Sequence, residues 1–296
     1  MAWLELTIQT KEIYTACISD FLEQTHAASI TWQAADAQAL FEPDLDTTPL
    51  WRYVNIRALY AEETPITDLV NTLHTKFGKK AILDCCFKSV ADKDWERVWL
   101  NDFQPMCFGK RLWVYPSAYE PPDSTGIIIR LDPGLAFGTG THPTTALCLE
   151  WIDAHLQPNQ TVIDYGCGSG ILAIAALKCG AKHVFAIDHD PQAIEATQAN
   201  VRQNTLAPER IHCGLSSQFK LDVKVDVIFA NILAKPLMDL AATFKHLIKK
   251  NGQCVLSGIF SEQVASVQQR YIEQGFMLTD IQYKQEWVIM VVCLSS

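Results

Sequence analysis

Two glycine-rich stretches contain the residues whose types and spacing could do chemistry. The first, LDPGLAFGTGTHPTT at 131–145, holds three glycines, four threonines and one histidine. The second, DYGCGSG at 164–170, follows a strand-like run and has glycines at alternate positions. A loop of residues without a Cβ lets the backbone approach a small molecule closely. Together the two stretches predict a binding site for a small polar ligand.

The second loop favours one kind of adenosine cofactor over another. Its glycines, Gly166, Gly168 and Gly170, depart from the dinucleotide fingerprint G-x-G-x-x-G because the third comes one residue early. Asp164, just before the loop, would repel a pyrophosphate but can attract an ammonium or a sulfonium. Asp188 ends the run HVFAID and can accept hydrogen bonds from both ribose hydroxyls. Nicotinamide and adenosylmethionine sites share that carboxylate, so Asp188 alone supports both cofactors.

Neighbouring residues of this loop have structural interpretations. We interpret Asp190 as the cap of the next helix, with Pro191 in its first turn. Cys167 is interpreted as a small filler, since no histidine is placed in the sequence to activate it. The stretch RIHCGLSSQF, after the third strand, offers no obvious acidic contact for an adenine amino group. The residue that recognises adenine therefore stays unassigned.

The glycine spacing resembles the first motif of class I methyltransferases that use S-adenosylmethionine. The fourth strand ends VDVIFANILAKP, with Asn231 where many amine and amide methyltransferases have N-P-P-Y. Ile232, Leu233 and Ala234 follow Asn231 here, so the aromatic residue that would stack on a planar acceptor is missing. A non-planar amine is therefore the favoured acceptor.

Combined with NILA, the segment DPGLAFGTGTHPTT closely resembles the ribosomal protein L11 methyltransferases of bacteria, in which it covers the bound cofactor. The resemblance spans essentially the whole chain, and its specificity resides in residues 131–145, 162–170, 188 and 226–236. It implies N-methylation of the α-amino group and of lysine side chains of a basic ribosomal protein. It also implies that the small N-terminal domain recognises this substrate.

The resemblance also implies cofactor contacts within 131–145. Either Thr144 or Thr145 contacts the cofactor, and we choose Thr145. Thr141 can cap a helix that begins at Pro143. A lone histidine near a helix start more often packs or hydrogen-bonds than acts as a base, so His142 is expected only near the cofactor. The other expected contacts from this segment are Phe137, Gly138 and Thr139.

Asn231 is the expected catalytic residue, in an orienting role. A protonated amine has no free lone pair, and a lysine of pKa ~10.4 is mostly charged at neutral pH, whereas an α-amine of pKa ~7.7–8.0 is partly neutral. No Glu or His in these motifs stands out as an obligatory base. We therefore expect the Asn231 oxygen and a backbone carbonyl to aim the amine, because positioning can supply on the order of 7–11 kcal/mol.

The patterns around these motifs predict two domains. Strand and helix periods alternate as β-α-β twice in residues 1–89, which is typical of a small α+β ferredoxin-like domain. A linker with a short helix is expected at 90–104. Residues 105–296 alternate strands with helices, which predicts a Rossmann-like class I methyltransferase domain with a mostly parallel seven-stranded sheet. The final stretch FMLTDIQYKQEWVIMVVCL predicts an antiparallel hairpin at its end.

Composition excludes several classes. The net charge is −9, and residues 1–100 hold 9 Lys and Arg against 15 Asp and Glu, a balance of −6. This balance suits a basic protein partner, which we expect, although a surface that only keeps the protein in solution explains it equally well; direct nucleic-acid binding is not expected. The start lacks a signal-peptide pattern and no apolar run reaches ~18 residues, which predicts a cytoplasmic protein without a membrane span. The ten cysteines are scattered without zinc spacing, so no metal is expected.

Three alternatives remain at this point. A nicotinamide-dependent oxidoreductase shares the β-α-β start and the ribose aspartate but expects a later third glycine. A methyltransferase could act on another amine, although the extra N-terminal domain favours a macromolecule. A non-enzymatic sensor of adenosylmethionine is disfavoured by the intact NILA stretch. Separate titrations of the protein with NADH and with S-adenosylhomocysteine distinguish the oxidoreductase from the other two alternatives.

Overall fold

A computed structural model of the chain describes residues 3–36, 49–90, 104–122, 126–132, 142–218 and 224–294. Contacts divide the chain into two compact units, residues 1–98 and 99–296. Most of the predicted linker lies outside the described residues, so the expected domain boundaries stay predictions. None of the described helices is long and apolar enough to cross a membrane.

The first unit is a four-stranded antiparallel sheet with two helices. Its elements are β1 (Trp3–Lys11), α1 (Glu12–Gln24), β2 (Ser29–Ala34), β3 (Tyr53–Ala61), α2 (Ile66–Ala81) and β4 (Asp84–Val90). The strand order is β2-β3-β1-β4, and every neighbouring pair is antiparallel. This is the predicted ferredoxin-like arrangement.

Alternation of apolar and polar residues explains why only one face of this sheet carries helices. Leu6 and Ile8 of β1 are fully buried with Ile18 and Leu22 of α1, while the intervening β1 side chains are partly exposed. A period of two puts the apolar set of a strand on one face. Gly78 has a φ of 70° inside α2, and the helix continues beyond it to Ala81.

The second unit begins with a small sheet that the sequence patterns did not predict. It contains β5 (Met106–Phe108), β6 (Leu112–Tyr115) and β7 (Ile127–Arg130), in that spatial order. Asp153 attaches the β5–β6 turn to the main body, because its buried carboxylate accepts hydrogen bonds from the backbone nitrogen of Lys110 at 2.6 Å and from Nε of Arg111 at 3.0 Å.

The main sheet of this unit has seven strands. Along the chain come α3 (Pro143–His155), β8 (Thr161–Tyr165), α4 (Ile171–Lys178), β9 (His183–Asp188), α5 (Pro191–Gln203), β10 (Ile211–Leu215), β11 (Val225–Asn231), α6 (Ala234–Leu247), β12 (Ile248–Phe260), α7 (Val264–Glu273), β13 (Phe276–Lys284) and β14 (Trp287–Leu294). The spatial order is β10-β9-β8-β11-β12-β14-β13. The first five strands are parallel, and β14 is antiparallel to both of its neighbours. The predicted parallel sheet with a C-terminal antiparallel hairpin is confirmed.

The helices cover both faces of this sheet. One buried cluster joins α3, α4 and α5 to the sheet, and a second joins α6 and α7 to its opposite face. Helix α6 begins at Ala234 and ends at Leu247, and residues 248–250 belong to β12. The carboxyl ends of β8, β9 and β11 share one edge, which is where a doubly wound sheet binds its ligand.

Candidate active site

The loop between β8 and α4 forms the floor of the site. Gly166, Gly168 and Gly170 all have positive φ, at 79°, 53° and 77°, a region that L residues with a Cβ rarely adopt. A Cβ on Gly166 would collide with the side chain of Ile232, and one on Gly170 would lie 2.7 Å from Cγ2 of Thr197. The glycines therefore provide both the turn and the close approach of β11 and α5.

Asp164, at the end of β8, is a buried carboxylate with one satisfied oxygen. Oδ2 accepts a hydrogen bond from the backbone nitrogen of Ala173 at 3.0 Å. Oδ1 is the one buried side-chain polar atom without a hydrogen-bond partner in the described part of the chain. Burial, opposed by the Ala173 hydrogen bond and assisted by the negative charge of Asp188, raises the pKa of Asp164 to about 7. An uncompensated oxygen of this kind is a place for a cationic or hydrogen-bond-donating ligand group.

Asp188 ends β9 and is held by backbone donors. Its Oδ2 accepts from the nitrogen of Gly168 at 2.9 Å, and its Oδ1 accepts from the nitrogen of Asp190 at 3.1 Å. Each carboxylate oxygen has a further lone pair, so the group can still accept from a ligand hydroxyl. The first hydrogen bond also fixes the glycine loop against the next strand.

The structural interpretations around the loop are confirmed. Asp190 is the N-cap of α5 and accepts a hydrogen bond from the nitrogen of Gln192 at 2.9 Å, with Pro191 at the first helical position. Cys167 is buried, and burial raises the pKa of its thiol, so it is not a thiolate nucleophile. Thr197 donates a hydrogen bond to the carbonyl of Gly168 at 3.0 Å and so joins α5 to the loop.

The first turn of α3 connects the cavity to β11. The helix begins at Pro143 as predicted, but its N-cap is His142 and not Thr141, because Nδ1 of His142 bonds Oγ1 of Thr144 at 2.7 Å and accepts from the Thr144 nitrogen at 3.4 Å. Thr145 is buried, and its Oγ1 accepts a hydrogen bond from Nδ2 of Asn231 at 3.3 Å. Two predicted site residues thus touch although they lie 86 positions apart.

These residues surround a cavity of about 850 Å³ at the carboxyl edge of the sheet. Its volume is within the range of small-molecule sites, roughly 300–1,000 Å³. The predicted site residues that line it are Thr145, Asp164, Gly166, Gly168, Asp188 and Asn231. Gly170 packs against α5 beside it, and His142 packs on Trp287 instead of lining it. Phe137, Gly138 and Thr139 lie outside the described residues, so their expected roles stay predictions.

Further lining residues were missed by sequence reasoning. Asp132 lines the cavity and accepts hydrogen bonds from the nitrogen of Ser117 at 2.7 Å and from Nε2 of Gln203 at 3.1 Å, which hold the pKa of its carboxyl below the usual value despite burial. Asn200 also lines it and donates to the carbonyl of Ser169 at 2.8 Å. Residue spacing carried no signal for either, because their partners come from distant elements.

The charge of the lining favours a cation over a diphosphate. The carboxylates of the cavity wall belong to Asp132, Asp164, Asp188, Asp190 and Glu195. Described lining residues include no Lys or Arg, whereas diphosphate sites usually supply basic side chains or an unobstructed helix N-terminus. The nicotinamide alternative therefore loses support. Among the described residues, no group of three or more His, Cys, Asp or Glu is arranged to hold a metal.

The sheet order, the glycine loop and the carboxylates that follow β8 and β9 define a class I methyltransferase domain. Comparison with known proteins identifies the family within this class. The family model "Ribosomal protein L11 methyltransferase (PrmA)" matches residues 2–294. The chain belongs to this family, as the resemblance predicted.

Individual relatives agree with the family match. The ribosomal protein L11 methyltransferase of Pasteurella multocida is 45% identical over 97% of both chains, and that of Histophilus somni is 46% identical over 100% of this chain and 99% of its own. A crystal structure of ribosomal protein L11 methylase from Lactobacillus delbrueckii subsp. bulgaricus covers 66% of this chain and 100% of its own, at 35% identity and a TM-score of 0.60.

Proposed function

We propose that this protein transfers methyl groups from S-adenosylmethionine to the α-amino group and lysine side chains of ribosomal protein L11. The observation that carries the proposal is the family match over residues 2–294, combined with a carboxylate-lined cavity at the sheet edge. The acceptor amines are inferred from the resemblance, and the role of each residue is inferred from its contacts.

The residues present fit the cofactor. Oδ1 of Asp164, buried and without a partner in the described chain, suits the ammonium of its methionine part. Gly166 and Gly168 leave the floor of the cavity without side chains, which suits a closely packed methionine and ribose. Asp188 is the acceptor for the ribose hydroxyls. We assign Thr145 and Asn231 to the cofactor as well, since both line the same cavity.

When bound, S-adenosylmethionine supplies a methyl carbon activated by a sulfonium. Asn231 then orients the acceptor. Nδ2 of Asn231 donates a hydrogen bond to Oγ1 of Thr145. The amide oxygen Oδ1 is therefore left to accept a hydrogen bond from an amine N–H. Neutral amines are the reactive species, and burial beside a cationic group disfavours the ammonium form. Asn231 does not hold the proton, which passes to water.

The substrate protein is proposed to be basic and to be recognised by the N-terminal unit. Residues 1–100 carry 9 Lys and Arg against 15 Asp and Glu, a balance of −6, while residues 101–296 carry 15 against 18, a balance of −3. Opposite charge raises association rates more than it raises affinity. An acidic recognition unit therefore fits a basic partner.

One experiment tests the proposal. The protein is incubated with labelled S-adenosylmethionine and unmethylated ribosomal protein L11, and the products are mapped by mass spectrometry, with Asn231→Ala as the matched control. We expect label on the N-terminal amine and on lysines. Label on a different amine compound, or tight NADH binding with no methyl transfer, would contradict the assignment.

A further inference from the structure

An aromatic cluster lies where β12 ends and β14 begins. Phe260 ends β12 and Trp287 begins β14, and the two are paired across the sheet with ring centroids 4.0 Å apart and planes at 28°. His142 meets Trp287 edge to face at 4.8 Å. We call these three residues the edge aromatics.

The sheet register places Trp287 two strands across from Asn231, at the same edge of the sheet. Asn231 of β11 is level with Ser257 of β12, and Oγ of Ser257 donates to the carbonyl of Val288 in β14 at 3.2 Å. Two strand spacings of ~4.8 Å separate β14 from β11, and Val288 pairs with Ile259, two residues beyond Ser257 along β12. Since β14 runs antiparallel to β12, the preceding residue, Trp287, lies further toward the carboxyl edge, where the acceptor must enter.

Helix α3 connects Asn231 to the edge aromatics through its first turn. Thr145 in that turn bonds Asn231, and His142 at its N-cap packs on Trp287. The cofactor cavity and the edge aromatics therefore share one rigid element. Burial lowers the pKa of His142 below its ordinary value, and the carboxylate of Glu286 in the β13–β14 turn partly opposes this, so a negative charge also lies close to His142.

Burial distinguishes these rings from core aromatics. Phe244 and Tyr271 of the same unit are fully buried, whereas Trp287 and Phe260 are half-buried at the sheet edge. Half-buried aromatic faces attract cations, most strongly on indole. The sequence after Asn231 lacks the stacking aromatic of related motifs, and the edge aromatics bring an aromatic surface from different elements.

We propose that Trp287, backed by Phe260, forms a wall of the acceptor-amine site and stabilises positive charge on the acceptor nitrogen. This rests on the proposed methyl transfer. The amine nitrogen gives its lone pair to the methyl carbon as the carbon–sulfur bond breaks, and the sulfur leaves as a neutral thioether. Positive charge thus moves to the nitrogen, which afterwards releases a proton to water. The indole face is placed to favour that charge as it develops.

Two substitutions separate an aromatic role from simple packing. Trp287→Phe keeps a π face, whereas Trp287→Leu keeps apolar bulk without one. We expect kcat/KM for ribosomal protein L11 to fall about thirtyfold in Trp287→Leu and less than about fivefold in Trp287→Phe, which corresponds to the loss of a desolvated cation–π contact. Tyr283→Leu, an exposed aromatic in the same hairpin, is the matched control and should remain within about twofold of the wild type.

A readout besides turnover distinguishes this role from a structural one. S-adenosylhomocysteine affinity and the unfolding midpoint should be unchanged in all three variants. If Trp287→Leu and Trp287→Phe had equal activity, or if S-adenosylhomocysteine binding were lost together with activity, this inference would be overturned. The proposed methyl transfer would still stand. A wild-type protein that transfers no methyl group to L11 would refute the proposed function and this inference with it.

Discussion

Asn231 and Asp188 line the same cavity but meet different neighbours, and their expected roles differ accordingly. Asp188 accepts hydrogen bonds from the backbone nitrogens of Gly168, in the glycine loop, and of Asp190. The side chain of Asn231 instead donates a hydrogen bond to Thr145, in the first turn of α3. The contacts of each side chain therefore predict whether its substitution affects cofactor binding or methyl transfer.

Substitution should separate these two roles. We expect Asn231→Ala to keep cofactor affinity within about threefold while kcat falls by roughly 10²-fold or more, because the amine is no longer aimed. Asp188→Ala should instead weaken cofactor binding, since the ribose loses its acceptor and the loop loses its Gly168 hydrogen bond. Equilibrium titration with S-adenosylhomocysteine and single-turnover methylation measure the two effects. Full activity in Asn231→Ala would remove its proposed role.

Asp164 predicts a pH dependence of cofactor binding. Folding raises the pKa of its carboxyl from 3.8 to about 7. A ligand ammonium pairs with the carboxylate and not with the neutral acid, so binding of S-adenosylhomocysteine should be about tenfold weaker at pH 6 than at pH 8. Asp164→Asn should bind weakly with a flat profile between these pH values. An unchanged profile in Asp164→Asn would assign the titration to another group.

The same raised pKa affects stability in the opposite sense. The folded protein holds this proton more tightly than the unfolded chain, so without cofactor the contribution of Asp164 to the free energy of unfolding falls as pH rises from 3.8 to about 7. Urea unfolding of wild type and Asp164→Asn at pH 5 and pH 8 measures it. The wild type should therefore lose stability relative to Asp164→Asn between pH 5 and pH 8.

At the scale of elements, the glycine loop is a packing device as well as a binding device. Gly170 and Gly180 both have positive φ, but only Gly170 faces a neighbour, Thr197, too close for a Cβ. We expect Gly170→Ala to lower the free energy of unfolding by about 2–4 kcal/mol and Gly180→Ala by about 1–2 kcal/mol. Denaturant titration of both variants separates steric crowding from backbone strain. Equal losses would show that only φ matters.

The spacing of residues along the sequence was sufficient to predict features that lie within one strand and the turn that follows it. The glycine loop at 164–170, the position of Asp188 at the end of its strand and the Asp190 cap were all evident, because each depends on neighbours within about twenty residues. The small sheet of β5, β6 and β7 was missed, since its strands have only three or four residues and its attachment depends on Asp153, far along the chain. The Trp287–Phe260 stack depends on strand pairing, which no local pattern reveals.

At the scale of the whole molecule, uneven charge should govern how fast the substrate arrives. Methylation of a basic protein should slow as salt rises, through a higher KM with little change in kcat, because screening at 0.1 M salt acts beyond ~10 Å. Neutralising exposed Glu62 and Glu63 by substitution to Gln should reduce this salt dependence. Initial rates between 50 and 300 mM salt measure it, at roughly constant cofactor saturation. Salt-independent rates would argue against electrostatic recruitment.

The position of β14 has a consequence for how the protein is made. This last strand inserts between β12 and β13, and it contributes Trp287 at its first residue. Ribosomes deliver chains from the amino terminus, so a nascent polypeptide can assemble the parallel strands while a slot beside β12 stays open. A chain truncated before Trp287 would lack a strand that has neighbours on both sides, so β12 and β13 would both lose their pairing partner.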